Sequence, residues 1–421
     1  MKICYLIPGC GVSGGIAVIC QHANRLKSRG HEVYLVVDGA AEEMSWFPGQ
    51  SVPVVSMAEY PSDVDILIAT AWSTAFRVPL LPARRHFYFV QSDETRFHPE
   101  NSGWQHITRL SYTLGFQYLT EARWIKNWLH QSFGYEATLV PNGLDDAIFY
   151  PCEPLEPKKG RPRILLEGAI GLPYKGMREA FLAVQDLDAE IWCVSSYGKP
   201  EPGWRCDRFF ESVPMSEMCR IYSSCDILLK LSRVEGFFGP PMEMMACGGA
   251  VVVGRVTGYD EYIIENENAL VVDALDINEA REAVQKLISD TGLRDRLIAN
   301  GKSTAKKWAW EPFIDKLEKS LEASLLNEQQ AMSGPQKEIA RSVSFFYSQL
   351  RGETIVQAPQ NTEVKPSEDN ASQPTAPEAA ISVEIDPTEK LIGRLRTQRW
   401  FRLVAKLAYR LYGRYVRLRS S

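Results

Sequence analysis

From Lys2 onward, short β-branched runs alternate with longer stretches of helical period, and the pattern occurs twice. KICYLI, EVYLVV, DILIAT, HFYFVQ, GFQYLT and ATLV form the first series, with a helical stretch from Gly14 to Arg29 after its first run. RILLEGA, EIWCVSS, DILLKLS, AVVVGRV and ALVVD form the second, which ends in a helical run from Asp276 to about Leu326. Short apolar runs separated by helix-length segments belong to parallel sheets with crossover helices. Between the series lies VPNGLDDAIFYPCEPLEPKKGRPR, dense in proline, glycine and charge, which reads as an interdomain linker. The pattern predicts an α/β fold of two doubly wound, Rossmann-like domains, over 1–150 and 151–330, with ligands at the carboxyl ends of the strands. A chain of 421 residues has room for two to three domains at about 150 residues each.

Composition narrows the class. At 45% hydrophobic and 24% charged residues the chain is globular rather than disordered or collagenous. It has no apolar run near the ~18 residues needed to cross a bilayer, and MKICYLIPGCG is too short for a signal peptide, so a cytoplasmic location is expected. Nine cysteines without a C-x-x-C pair are expected to be reduced, mostly buried thiols. The net charge of -5 conceals a basic tail, because Asp386 to Ser421 holds ten Lys or Arg against two Asp or Glu, which leaves -13 for the rest. So acidic a body argues against nucleic acid as a partner.

Past the second series, 331–352 reads as a helical extension. Residues 353–385, rich in Pro, Ser, Asn and Glu without periodicity, read as a disordered linker. In 386–421, Leu391, Leu395, Trp400, Leu403, Leu407 and Leu411 recur at helical spacing beside a stripe of Arg399, Arg402, Lys406, Arg410 and Arg414. This basic amphipathic helix suits the anionic inner face of the cell membrane; docking on an acidic protein surface is the alternative.

Two regions carry candidate chemistry. After the first strand, PGCGVSGG places Gly9, Gly11 and Gly14 in G-x-G-x-x-G spacing, with Asp38 at the end of the second strand. Such glycines bring backbone N–H groups to a diphosphate at a helix N-terminus. NAD, a nucleotide sugar and a plain tight turn all fit this loop, so the second domain has to decide. There, RVEGFFGPPMEMMACGG puts Glu235 on a loop and Glu243 about one turn inside a helix opened by Pro240 and Pro241. Two carboxylates beside a helix N-terminus suit a ligand that is both hydroxylated and phosphorylated. Alternatively, the early acids merely complement the helix dipole.

SRVEGFFGPPMEMMACGGAVVV resembles the signature block of the retaining glycosyltransferases of family 4, which have the GT-B fold. SGG at Ser13 to Gly15 is similar to that family's diphosphate loop, and YLTEARWIKNWLHQSFGYEATLVPNGLDDAIF and TGYDEYIIENENALVV resemble two further passages. The resemblance covers about Met1 to Leu325. It implies a retaining, metal-independent hexosyltransferase acting on a nucleotide-sugar donor, without cofactor, and a glycan or lipid-linked acceptor in bacterial surface polysaccharide or lipopolysaccharide assembly. It implies that Glu235, with Gly236 and Phe237, contacts the transferred sugar, that Glu243 contacts the ribose, and that Gly14, Gly15 and Lys175 meet the diphosphate.

The chain departs from the family at two places. Where many relatives carry Arg ahead of the phosphate-binding Lys, this chain has Ala169, which leaves Lys230 and Arg233 as replacement cations. Where many carry a His motif at a first-domain strand end, Gln91 and Glu94 stand instead, as acceptor-side contacts or as a helix cap. The D-x-D triplet Asp63-Val64-Asp65 precedes its strand, at the wrong end for a ligand. The rival readings are an NAD(P)-dependent oxidoreductase using Gly9, Gly11, Gly14 and Asp38, and a noncatalytic sugar-nucleotide-binding protein.

Overall fold

The computed structural model describes residues 1–327 and 332–351. The first sheet contains β1 (Lys2–Ile7), β2 (Glu32–Val37), β3 (Val54–Ser56), β4 (Ile66–Ala69), β5 (Arg85–Val90), β6 (Gln117–Thr120) and β7 (Ala137–Leu139). All neighbours are parallel, in the order β3-β2-β1-β4-β5-β6-β7. Its helices are α1 (Gly14–Ser28), α2 (Trp72–Ala75), α3 (Gly103–Ser111) and α4 (Arg123–Phe133). The second sheet contains β8 (Arg163–Glu167), β9 (Glu190–Ser195), β10 (Arg208–Glu211), β11 (Ile227–Lys230), β12 (Ala250–Gly254) and β13 (Leu270–Val272), in the order β10-β9-β8-β11-β12-β13. With it go α5 (Met177–Val184), α6 (Met215–Ser224), α7 (Gly239–Cys247), α8 (Ile277–Ser289) and α9 (Thr291–Ala305).

Both sheets reverse winding direction beside their first strand, between β1 and β4 and between β8 and β11. Such a switch point splays the two following loops apart and opens a crevice at the carboxyl ends of the strands. The glycine loop follows β1, and the loop holding Glu235 follows β11, so the sheet topology itself carries both candidate regions to crevices.

Two edge strands escape the sequence pattern. β3 and β10 are three and four residues long, and none of their residues is buried, so neither shows a run of core side chains.

The expected domain boundary at 330 does not match the packing. The helical run from Asp276 splits into α8, α9 and α10 (Glu311–Leu326), and α10 packs on the first domain. Trp310, Ile314, Leu317 and Leu321 lie in one core with Ile3, Tyr5, Ile19 and Leu26. Arg29 pairs with Asp315 at 2.6 Å and Glu318 at 2.8 Å, and His31 meets Glu318 at 2.7 Å. α11 (Gly334–Arg351), within the expected helical extension, also returns there, with Ala340 and Val343 in the core on the other face of the first sheet. The chain thus crosses between domains twice, side by side: Leu144 N–H donates to the Trp308 carbonyl at 2.6 Å, and a Cβ on Gly143 would lie 2.6 Å from Trp310 Cα.

All nine cysteines are free and seven are buried. No helix among the described residues is long and apolar enough to cross a membrane. The linker over 353–385 and the basic helix over 386–421 lie outside the described residues.

Candidate functional site

Lys175 and Glu235 form the centre of the candidate site. Lys175 Nζ donates to both carboxylate oxygens of Glu235, at 2.8 and 3.0 Å. Gly176 makes this possible, because it is left-handed (φ 65°) and a Cβ there would lie 2.0 Å from the Leu231 carbonyl oxygen. The backbone beside Lys175 therefore rests directly on the end of β11. Burial pushes the Glu235 carboxyl up, but Lys175 and then Lys230 outweigh it and hold the group below the ordinary range. Glu235 is thus a charged acceptor at neutral pH.

Behind it, the Glu243 carboxylate accepts from the Tyr222 hydroxyl at 2.9 Å, and burial pushes its pKa up to about 7. A carboxyl with that pKa is easily ionised by a partner that donates hydroxyl protons. Lys230, at the end of β11 and 3% exposed, donates to the carbonyl of Glu167 at 3.0 Å and pairs with its carboxylate. Arg233 turns to Glu179 on α5, at 3.3 Å, and to the Pro173 carbonyl. Both cations proposed to replace the arginine missing at Ala169 are thus neutralised within the second domain.

Two helices, α1 and α7, begin directly after the loops that carry the candidate residues. α3, α8 and α9 are capped by the side chains of Ser102, Asp276 and Asp290. α1 and α7 have no side-chain cap among the described residues, and neither has an acid in its first turn. α7 offers only the positive end of its dipole, because Pro240 and Pro241 carry no N–H and the Gly239 N–H donates to the Phe237 carbonyl at 3.1 Å, so the free amides are those of α1. Uncapped N–H groups and the positive end of the dipole are the usual seat of an anion. Gly9, Gly11 and Gly14 are not in positive-φ conformations, and a Cβ on any of them would meet nothing within 4 Å. Neither backbone strain nor protein packing calls for glycine there, which leaves the plain tight-turn reading without a cause.

On the first-domain side, Gln91 lies against the start of α1, with its Oε1 3.1 Å from where a Cβ on Gly15 would stand. Its Nε2 donates to the Thr70 carbonyl at 3.3 Å, and its buried Oε1 has no hydrogen-bond partner among the described residues. Glu94 does not join it. The Glu94 carboxylate turns inward and accepts from the Trp72 N–H at 2.6 Å and the Tyr88 hydroxyl at 3.0 Å, with burial lifting its pKa to about 7. Of the two readings, the helix cap describes its contacts, because the first amide of α2 and the buried Tyr88 hydroxyl both hold the carboxylate inside the first domain.

Asp38 is 3% exposed and pairs with Arg77 at 3.2 Å, so the acid that the oxidoreductase reading needs for a ribose is already engaged. Asp65 is likewise held by the Lys2 N–H and by Arg84, both at 2.9 Å, at the amino end of β4.

Gly236 and Phe237 touch the first domain. A Cβ on Gly236 would lie 1.7 Å from the Gln91 carbonyl oxygen, and Phe237 N–H donates to Glu121 at 2.8 Å. Glu121, with Asn142 donating to it at 2.9 Å, is the site residue that sequence reasoning missed; its signal was a lone acid at a strand end, in YLTE. Across the same interface Glu261 accepts from the first amide of α4 at 2.6 Å, and Arg96 reaches the Arg233 carbonyl at 2.9 Å.

This pairing of two switch-point crevices defines a two-domain, doubly wound α/β class, and similarity to known proteins narrows it. Residues 208–304 match the family model described as Glycosyl transferases group 1. The O-antigen biosynthesis protein RfbC of Myxococcus xanthus is 25% identical over 289 residues, 65% of this chain and 22% of that protein. The O-antigen chain mannosyltransferase B of Escherichia coli is 29% identical over 124 residues, 30% of this chain and 31% of that protein. The chain thus spans less than a third of either relative's length. Among solved structures, Anabaena HepE in complex with UDP-glucose superposes with a TM-score of 0.62 at 13% identity, covering 77% of this chain and all of that one. The fold is the GT-B fold, and within the second domain residues 208–304 are similar to the group 1 glycosyl transferases.

Proposed function

We propose that the protein is a retaining glycosyltransferase of the hexosyl type, moving a sugar from a nucleoside-diphosphate donor to a glycan or lipid-linked acceptor. The observation that carries this reading is the Lys175–Glu235 pair, which joins the loops after β8 and β11 just ahead of the N-terminus of α7. Glu235 is charged and accepts from the sugar hydroxyls, Glu243 accepts from the ribose, and Lys175, the positive end of the α7 dipole and the Gly14–Gly15 amides share the diphosphate charge. When donor binds, the Lys175 ammonium is shared between Glu235 and the departing phosphate, which ties leaving-group stabilisation to the sugar contact. Helix amides and Lys175 supply that stabilisation in this reading, so the reaction is proposed to run without a metal ion.

The similarity to an O-antigen biosynthesis protein and to an O-antigen mannosyltransferase supports bacterial surface polysaccharide or lipopolysaccharide assembly as the setting. The bound UDP-glucose in HepE supports a nucleotide-sugar donor. The basic segment 386–421 is read, from its sequence, as the contact with the membrane surface.

A thermal-shift panel of UDP, GDP, dTDP, their sugar conjugates and NAD tests the reading. A ligand that binds only the folded state raises the melting temperature with concentration. Stabilisation by one nucleoside diphosphate and its sugar is the expected result, and stabilisation by NAD alone defeats the proposal.

A further inference from the structure

Glu121 stands at the end of β6, 4% exposed, between the two domains. One carboxyl oxygen accepts the Phe237 N–H at 2.8 Å and the other accepts the Asn142 side-chain amide at 2.9 Å, with Asn142 itself buried. The same turn is gripped again one residue earlier, where Trp124 Nε1 donates to the Gly236 carbonyl at 2.8 Å. A Cβ on Gly236 would lie 2.5 Å from Glu121 Oε1 as well as against the Gln91 carbonyl, so only glycine allows the approach. Phe237 follows Glu235 by two residues and leads into α7. The first domain therefore holds the backbone of the loop whose side chain meets Lys175.

We propose that Glu121 is a positioning residue: by holding the Phe237 amide from the opposite domain, it fixes the Glu235 carboxylate for the donor sugar only while the domains are closed. This rests on the reading of Glu235 given above. A buried acid suits the task because its enclosure favours the protonated form. Burial raises its pKa, the bonds from Asn142 and Phe237 lower it, the charge of Glu235 raises it again, and the balance is about 8. Protonated, the carboxyl keeps one acceptor oxygen on the Phe237 amide without a second negative charge beside Glu235, and its hydroxyl donates to the buried Asn142 amide oxygen once that amide is turned. The clamp also makes the active geometry conditional, since opening the cleft releases the Phe237 amide and the Gly236 carbonyl together.

The test uses the full chain as wild type, Glu121→Ala, Glu121→Gln and Asn142→Ala. Two quantities are read: deuterium exchange of the Phe237 amide, and kcat and KM with UDP-glucose, GDP-mannose and dTDP-rhamnose assayed in parallel. Displacing a reacting group by about 1 Å costs up to ~100-fold in rate, so Glu121→Ala is expected to lower kcat by about 10- to 100-fold with donor KM little changed. It is also expected to accelerate Phe237 exchange. Glu121→Gln, which keeps a neutral acceptor oxygen, is expected to restore both. A Glu121→Ala protein with wild-type kcat and exchange overturns the proposal, and so does failure of Glu121→Gln to rescue. Should Glu121→Ala not fold, Asn142→Ala decides, with faster exchange and reduced kcat expected and wild-type values overturning the idea. A wild type that turns over no nucleotide sugar defeats the functional reading instead, and Phe237 exchange then still decides whether the clamp exists.

Discussion

Lys175 and Glu235 are joined by two hydrogen bonds of 2.8 and 3.0 Å that span the switch point of the second sheet, from the loop after β8 to the loop after β11. The pair is mostly shielded, with side-chain exposures of 22% and 11%. Removing either member leaves the other charge in a poorly solvated place. Electrostatic donors aimed at developing charge are each worth about 10²- to 10³-fold in rate. Lys175→Ala is therefore expected to lower kcat by about that factor at saturating donor, measured by nucleoside diphosphate release.

Glu235→Ala should abolish sugar transfer to a comparable extent while the far-UV circular dichroism stays that of the wild type. Its loop is held by backbone contacts through Gly236 and Phe237, so the fold does not depend on the carboxylate. Unchanged product formation would remove Glu235 from the site.

Three enclosed carboxyls make stability fall as pH rises. Glu94 and Glu243 are lifted to about 7 and Glu121 to about 8, in each case by burial first. An unfolded Glu titrates near about 4.3, so the stabilisation gained by holding these protons is complete below that pH and lost as pH rises through the folded values. Glu235 and Glu318 run the other way: despite burial, Lys175 and Arg29 respectively hold them low, and their contribution is lost on acidification. The melting temperature should decline from about pH 5 to pH 8, and Glu94→Gln should flatten that decline. A slope unchanged in Glu94→Gln would show that its proton is not retained in the fold.

Trp310 joins the first-domain core although it follows the second domain in the chain, with His22 edge-on at 5.6 Å and the Arg25 guanidinium 5.4 Å over its ring. Truncating a buried aromatic costs about 3–5 kcal/mol. Trp310→Ala should therefore lower the unfolding transition of the first domain. Hydrogen exchange would place the loss in β1 and α1; a loss confined to α8 and α9 would contradict the packing.

Gly236→Ala would drive a methyl into the Gln91 carbonyl oxygen, 1.7 Å from its ideal position. The cleft must then widen. Small-angle scattering is expected to report a larger radius of gyration, together with loss of transfer, while the melting temperatures of the separate domains change little.

Much of this was legible in the sequence. Alternating periods marked the strands that build both sheet centres, and the glycine loop and the Glu235–Glu243 spacing lie at the strand ends where parallel-sheet topology puts ligands. These are local properties, because backbone hydrogen bonding and burial repeat every two or 3.6 residues whatever lies across the cleft. What only the tertiary structure decided is which partner each polar group takes. Glu94 sits beside Gln91 in the chain but turns to Trp72 and Tyr88, Arg233 is drawn to Glu179, and Glu121, unremarkable in YLTE, reaches the Phe237 amide. α10 and α11 follow the second domain in sequence and pack on the first. Charge pairing and apolar burial act between groups brought together by the whole fold, and their strength depends on that enclosure, so neighbours along the chain carry no record of them.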